Sequence, residues 1–142
     1  MRITKKIYAK ATDLNGGEPV SIAFLGDSVT QGCFEVYPLS GDIMQPVFDP
    51  ECAYHTYLKK MLGTVFPSVP INMINAGISG DNAVNGLQRL ERDVIRFHPD
   101  LVVVCFGLND STQGATGIKQ YTTALENIFN ELNKNDIECI FM

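Results

Sequence analysis

Apolar runs of strand length recur along the chain, and amphipathic stretches separate them. The runs are Val20 to Leu25, Ile71 to Asn75, Leu101 to Phe106, and a last one beginning at Ile137 and reaching Met142. Leu101-Val102-Val103-Val104-Cys105-Phe106 is apolar without interruption, the pattern of a strand covered on both faces. Between the runs lie helical spacings. Residues 2–18 begin with a weak one (Ile3, Ile7, Ala11, Leu14) that Asn15-Gly16-Gly17 stops. Residues 52–65 put Ala53, Tyr57 and Met61, with Leu58, Leu62 and Val65, on one face. Residues 83–97 repeat Val84, Leu87, Leu90, Val94 and Ile95, with Arg89, Arg92 and Arg96 towards a helix end, where cations suit the dipole. From Ile118 the period is clearest, through Tyr121, Leu125, Ile128, Phe129 and Leu132.

Strands alternating with helices predict an α/β domain with a parallel sheet. Right-handed crossovers then put helices on both faces. The segment 33–51, with Pro38, Pro46, Pro50 and Gly41, reads as a long irregular loop. It follows the first strand's turn, so it is expected to form one wall of a pocket. The last run stops at Phe141-Met142 without turn or cap. The expectation is therefore a truncated domain, lacking at least one further helix and strand, with 1–18 as an N-terminal extension.

Composition narrows the classes. The 142 residues fit one domain; 45% are hydrophobic and 19% charged, ordinary for a globular protein. A net charge of −5 gives no basic footprint for nucleic acid and mildly disfavours anionic membrane surfaces. No apolar run reaches the length of a membrane span. No apolar region follows the basic residues Arg2, Lys5 and Lys6, so the expected compartment is the cytoplasm. None of the four cysteines forms a C-x-x-C pair. Cys105 and Cys139 read as buried small hydrophobes. Cys33 and Cys52 flank one loop, and a bridge between them is disfavoured in a cytosolic chain.

The candidate chemistry sits where the strands end. In open parallel sheets, ligands bind outside the carboxyl ends of the strands. Three polar clusters fall there: Gly26-Asp27-Ser28, Asn75-Ala76-Gly77 and Gly107-Leu108-Asn109-Asp110. Ser28 reads as a nucleophile held on a tight turn, or as a turn or N-cap serine. Asp27 and Asp110 read as loop organisers. Gly77 reads as an oxyanion-stabilising backbone donor, or as a glycine needed for positive φ. Asn109 offers an uncharged N–H₂ donor, or an Asx turn. Three such groups at three consecutive strand ends favour the functional readings.

Those residues carry a resemblance. Gly26-Asp27-Ser28-Val29-Thr30-Gln31-Gly32 resembles the first block of the SGNH (GDSL-type) hydrolases. Asn75-Ala76-Gly77-Ile78-Ser79-Gly80-Asp81 resembles their second block, and Gly107-Leu108-Asn109-Asp110 their third. The resemblance covers roughly residues 20–142. It implies a flavodoxin-like three-layer α/β/α sandwich and ester hydrolysis through an acyl-enzyme on Ser28. Gly77 and Asn109 would complete the oxyanion hole. It implies a small-molecule ester substrate, carbohydrate O-acetyl or short-acyl, with no metal or organic cofactor.

One block is missing. The family's Asp-x-x-His, which supplies the base and its orienting acid, has no match. The chain has two histidines, and positions 52 and 95, three residues before each, are Cys52 and Ile95. His55 and His98 read as surface or helix-end residues. These 142 residues alone are therefore expected to be inactive. The alternative from another class is a non-catalytic flavodoxin-like module that binds a nucleotide or glycan at the same rim.

Overall fold

The computed structural model describes residues 1–142. Four parallel strands form the sheet: β1 (Val20–Gly26), β4 (Ile71–Gly77), β5 (Leu101–Cys105) and β6 (Glu138–Phe141). Their order is β4-β1-β5-β6. Counting only these four in chain order, that is 2-1-3-4, the flavodoxin-like winding, with its switch point between β1 and β5. The registers bring three strand ends level: Gly26 pairs with Gly77 on one side and Cys105 on the other.

The apolar runs of β1 and β5 alternate between two cores. Ala23, Leu25, Val102 and Val104 pack with Leu90, Val94, Ile128 and Leu132. These come from α4 (Ala83–Asp93), the residue after it, and α5 (Ile118–Lys134). Val20, Ile22, Phe24, Leu101 and Val103 face the other way, onto Ile3 and Ile7 of α1 (Arg2–Thr12) and onto α3 (Tyr54–Val65). Nearly every residue of these two strands thus buries a side chain on one face or the other, which is why the runs show no regular polar alternation. The three layers follow.

Residues 1–18 join the second core through α1. The Glu138 carboxylate accepts the N–H groups of Arg2 (2.7 Å) and Ile3 (2.9 Å), capping α1 from β6. Those bonds hold Glu138 below the usual carboxylate range. No helix is long and apolar enough to cross a membrane.

Four expectations are corrected. Segment 33–51 is not irregular: β2 (Cys33–Ser40) and β3 (Ile43–Phe48) form an antiparallel hairpin, followed by a 3-10 turn at Pro50–Cys52. Pro38 and Pro46 hid it, because each removes an N–H from a ladder of only two strands, where both strands are edges that tolerate proline. In α3 the inward face is Tyr54, Leu58, Leu62 and Phe66, and Tyr57, Met61 and Val65 are exposed. His55 is not a surface residue; it is buried. Cys105 and Cys139 are half-buried, and all four thiols are free.

Candidate active site

β1 delivers the Gly-Asp-Ser turn to the sheet's rim. Asp27 caps the short helix α2 (Ser28–Gln31), its Oδ1 accepting the Val29 N–H at 3.0 Å. Burial pushes the Asp27 carboxyl above the usual aspartate range, against the pull of that N–H. Gly32 ends the helix with φ of 105°, a left-handed conformation that glycine adopts without a Cβ penalty. Ser28 is therefore the first residue of a one-turn helix at the switch point. It is half-buried, and none of the rim's hydrogen bonds uses its hydroxyl.

Gly77, level with Gly26, lies under α2. A Cβ there would stand 2.2 Å from the Gln31 nitrogen and 2.6 Å from the Thr30 carbonyl carbon. Its φ is not positive, so close approach, and not backbone hand, is what demands glycine. Its N–H is not open either: it donates to Asn75 Oδ1 at 2.9 Å. The Asn75 amide in turn donates to Gln31 O at 3.3 Å, and Gln31 Oε1 accepts the Ser79 N–H at 2.6 Å. The β4 end and α2 are thus laced together.

Asn109 lies four residues past the end of β5. Its Nδ2 donates to Asp81 O at 2.8 Å, which fixes the amide plane. That nitrogen carries a second N–H. Asp110 does organise its loop: Oδ1 accepts the Ala83 N–H at 3.1 Å and, with Asn82, caps α4. Its Oδ2 is buried without a partner. Residues 110–117 are 3-10 turns and not an open loop.

The residue that sequence reasoning missed is Arg89. It is not a solvated charge at a helix end. Its guanidinium is buried and spans the ends of β1 and β4. Nε donates to Asp81 Oδ2 (2.6 Å), Nη1 to Ala76 O (2.6 Å) and Nη2 to Gly26 O (2.9 Å). Asp93 adds a longer contact at 3.3 Å. One side chain thereby ties the ends of β1 and β4 to Asp81, and the Asp81 carbonyl positions Asn109. A signal existed: Gly86, Arg89, Leu90 and Asp93 share a helical face, and an arginine within a buried stripe needs partners.

Neither histidine serves Ser28. His55 Nε2 donates to Thr30 O at 3.0 Å, and its ring packs on Phe24 with centroids 5.2 Å apart. It supports α2 from below. His98 precedes β5 at the opposite end of the sheet. The structure therefore brings Ser28, Gly77 and Asn109 to one rim, with no imidazole beside the hydroxyl.

An α/β domain that gathers a serine and several amide donors at its switch point has the layout of a serine hydrolase. Within that class, the chain belongs to the GDSL-like Lipase/Acylhydrolase family, whose model matches residues 24–141. It is 32% identical over 94 residues to an acetylxylan esterase of Geobacillus stearothermophilus, covering 66% of this chain and 41% of that protein. The fold is similar to a two-domain esterase active on acetylated mannans, with a TM-score of 0.72 and 26% identity over 98% of this chain and 33% of that one. It is also similar to a catalytic mutant of Axe2, an acetylxylan esterase from Geobacillus stearothermophilus. There the TM-score is 0.67 with 26% identity, over 87% of this chain and 58% of that one. The chain thus spans well under two thirds of the length of these relatives.

Proposed function

We propose that the full-length protein is a serine esterase that removes O-acetyl or other short acyl groups from carbohydrates. The observation that carries this reading is the placement of Ser28 at the switch point, beside two strand ends that present Gly77 and Asn109. Ser28 Oγ attacks the ester carbonyl while its proton passes to a general base. The carbonyl oxygen becomes an oxyanion and accepts from the Asn109 amide and from backbone N–H groups of Ser28 and Gly77. Gly77 serves once the Asn75 side chain releases it. The alcohol leaves with the proton, and water then hydrolyses the acyl-Ser28 ester. The base is a histidine held by an aspartate three residues before it, contributed by sequence outside these 142 residues. This rests on the absence of an imidazole at the rim and on the family's Asp-x-x-His block.

The acetylated-xylan and acetylated-mannan relatives support the substrate class. Full-length protein is expected to hydrolyse p-nitrophenyl acetate and acetylated xylo- or manno-oligosaccharides. Ser28→Ala should lose about 10⁴-fold or more in kcat. Unchanged turnover in Ser28→Ala would overturn the assignment and leave the rim as a binding site without chemistry.

A further inference from the structure

The recess beside α2 has no part in the chemistry above. It lies between α2, the base of the β2–β3 hairpin and the start of α3. Its volume is about 310 Å³, and seven of its eight lining residues are hydrophobic. Val29, Cys33, Phe34, Cys52, Tyr54 and Tyr57 supply the wall, and no charged side chain does. Open to solvent at its mouth, the recess is of the size at which ligand sites begin, near about 300 Å³.

The wall is built and not accidental. The Tyr54 hydroxyl bonds Thr30 Oγ1 at 3.1 Å, so its ring is fixed against the same helix that carries Ser28. Burial pushes that phenol up to about 12, so it stays neutral. The Gly32 carbonyl accepts the Asp49 N–H at 2.8 Å, which pins both ends of the hairpin to α2. By contrast Phe34, Tyr57 and Val29 lie open at the mouth, with 64, 54 and 46% of their surface exposed. Aromatic surface held open around a fixed apolar floor, one residue from a nucleophile, is a place for a ligand.

We propose that this recess is a binding subsite for an uncharged apolar or aromatic part of the ester, next to the carbonyl that Ser28 attacks. The proposal rests on the serine-esterase part of the reading above and widens its substrate class beyond acetylated carbohydrates, whose acetyl arm is too short and whose sugar arm is too polar to fill this recess. The apolar part is either the alcohol or the acyl chain, since both radiate from the same carbonyl. The recess is far larger than an acetyl group. The enzyme would therefore prefer esters with one extended apolar arm over methyl acetate.

The test uses full-length protein and two ester series. One varies the alcohol (methyl against 1-naphthyl acetate); the other varies the acyl chain (methyl acetate against methyl hexanoate). Phe34→Ala and Tyr57→Ala should each lower the kcat/KM ratio of the larger ester to methyl acetate by about tenfold in one series. The series that responds names the arm. Unchanged ratios in both series would overturn the subsite.

A second readout needs no turnover. Cys52 is exposed at the wall, and its thiol is pushed up by the hydrogen bond to Asp49. In the Ser28→Ala protein, 1-naphthyl acetate or methyl hexanoate should slow N-ethylmaleimide labelling of Cys52 several-fold, read by peptide mass spectrometry. Phe34→Ala should remove that protection. Labelling unaffected by either ester, or a Cys52 already shielded by other parts of the full-length protein, would overturn the proposal. Persisting turnover in Ser28→Ala would instead sink the esterase reading, and the labelling would still decide the recess.

Discussion

The floor and the wall of the site are built on opposite principles. The floor is the level ends of β1, β4 and β5. Most of its polar groups are matched: the buried Arg89 to two carbonyls and Asp81, Asp81 O to Asn109, and the more exposed Asn75 to both Gly77 and Gln31, with Asp110 Oδ2 the buried exception. The wall is the β2–β3 hairpin, whose side chains are almost all exposed. Leu39, Ile43 and Met44 touch water at its tip. Chemistry at a carbonyl needs donors fixed to within a fraction of an ångström, and buried matched networks supply that. Choice among substrates needs surface that can change without unsettling those donors. On the esterase reading proposed above, a hairpin rooted only at its base would provide it.

The largest loss is expected at Arg89. Arg89→Met in the full-length protein should cost about 3–5 kcal/mol in urea unfolding, because Asp81 is left buried without its cation. The Ala76 and Gly26 carbonyls lose a donor as well. Asp81→Asn in the Arg89→Met background should recover part of that loss, which a double-mutant cycle would measure. Since the Asp81 carbonyl holds Asn109, kcat should fall more than KM changes. A cost under about 1 kcal/mol would mean that the floor is not organised by this guanidinium.

Gly77→Ala is the next test, smaller in energy but closer to Ser28. Its methyl group would meet the backbone of α2 at Gln31 and Thr30, not a flexible side-chain tip. Overpacking of that kind costs about 1–3 kcal/mol. Relief requires α2 to move, and Ser28 moves with it. Activity should therefore drop further than stability, read as kcat/KM against the unfolding midpoint. Full activity in a stable Gly77→Ala protein would show that α2 can shift without harm, and the floor's rigidity would not matter.

The sheet and its rim were legible because their signals are local. An apolar run followed by Gly-Asp-Ser, or by Gly-x-Asn-Asp, fixes both the strand and what its end presents. The remainder depends on contacts between segments distant in sequence. In α3, the sets 53/57/61 and 54/58/62 are equally periodic and one residue apart. Packing of Tyr54 and His55 against Phe24 chose the second, and periodicity alone had no means to do so. His55 became a core residue because the Thr30 carbonyl beneath α2 needed a donor. Arg89 sat in a largely apolar stripe, and the carbonyls at the ends of β1 and β4 together with the Asp81 carboxylate explain a charge there. At Gly77 one expected reason for glycine, positive φ, does not hold; the reason is the distance to Gln31. The hairpin was concealed because its two prolines are breakers in a central strand but harmless on an edge.

The smallest effect is expected at the tip of the wall, and it sharpens the contrast. Leu39 and Ile43 have 62 and 59% of their surface exposed, and Ile43 pairs with Ser40 at the turn. Little apolar area is removed from water there, so Leu39→Ser and Ile43→Ser should each change stability by no more than about 0.5 kcal/mol. The flanking ladder is only two strands wide and contributes little cooperativity of its own. Neither residue lines the recess, so the preference between large and small esters should also stay as it was. If either substitution instead costs more than about 1.5 kcal/mol in the full-length protein, the tip is buried against another part of the molecule. The hairpin would then be a packed element on the same footing as the floor, and substrate choice would have to reside in the recess at its base alone.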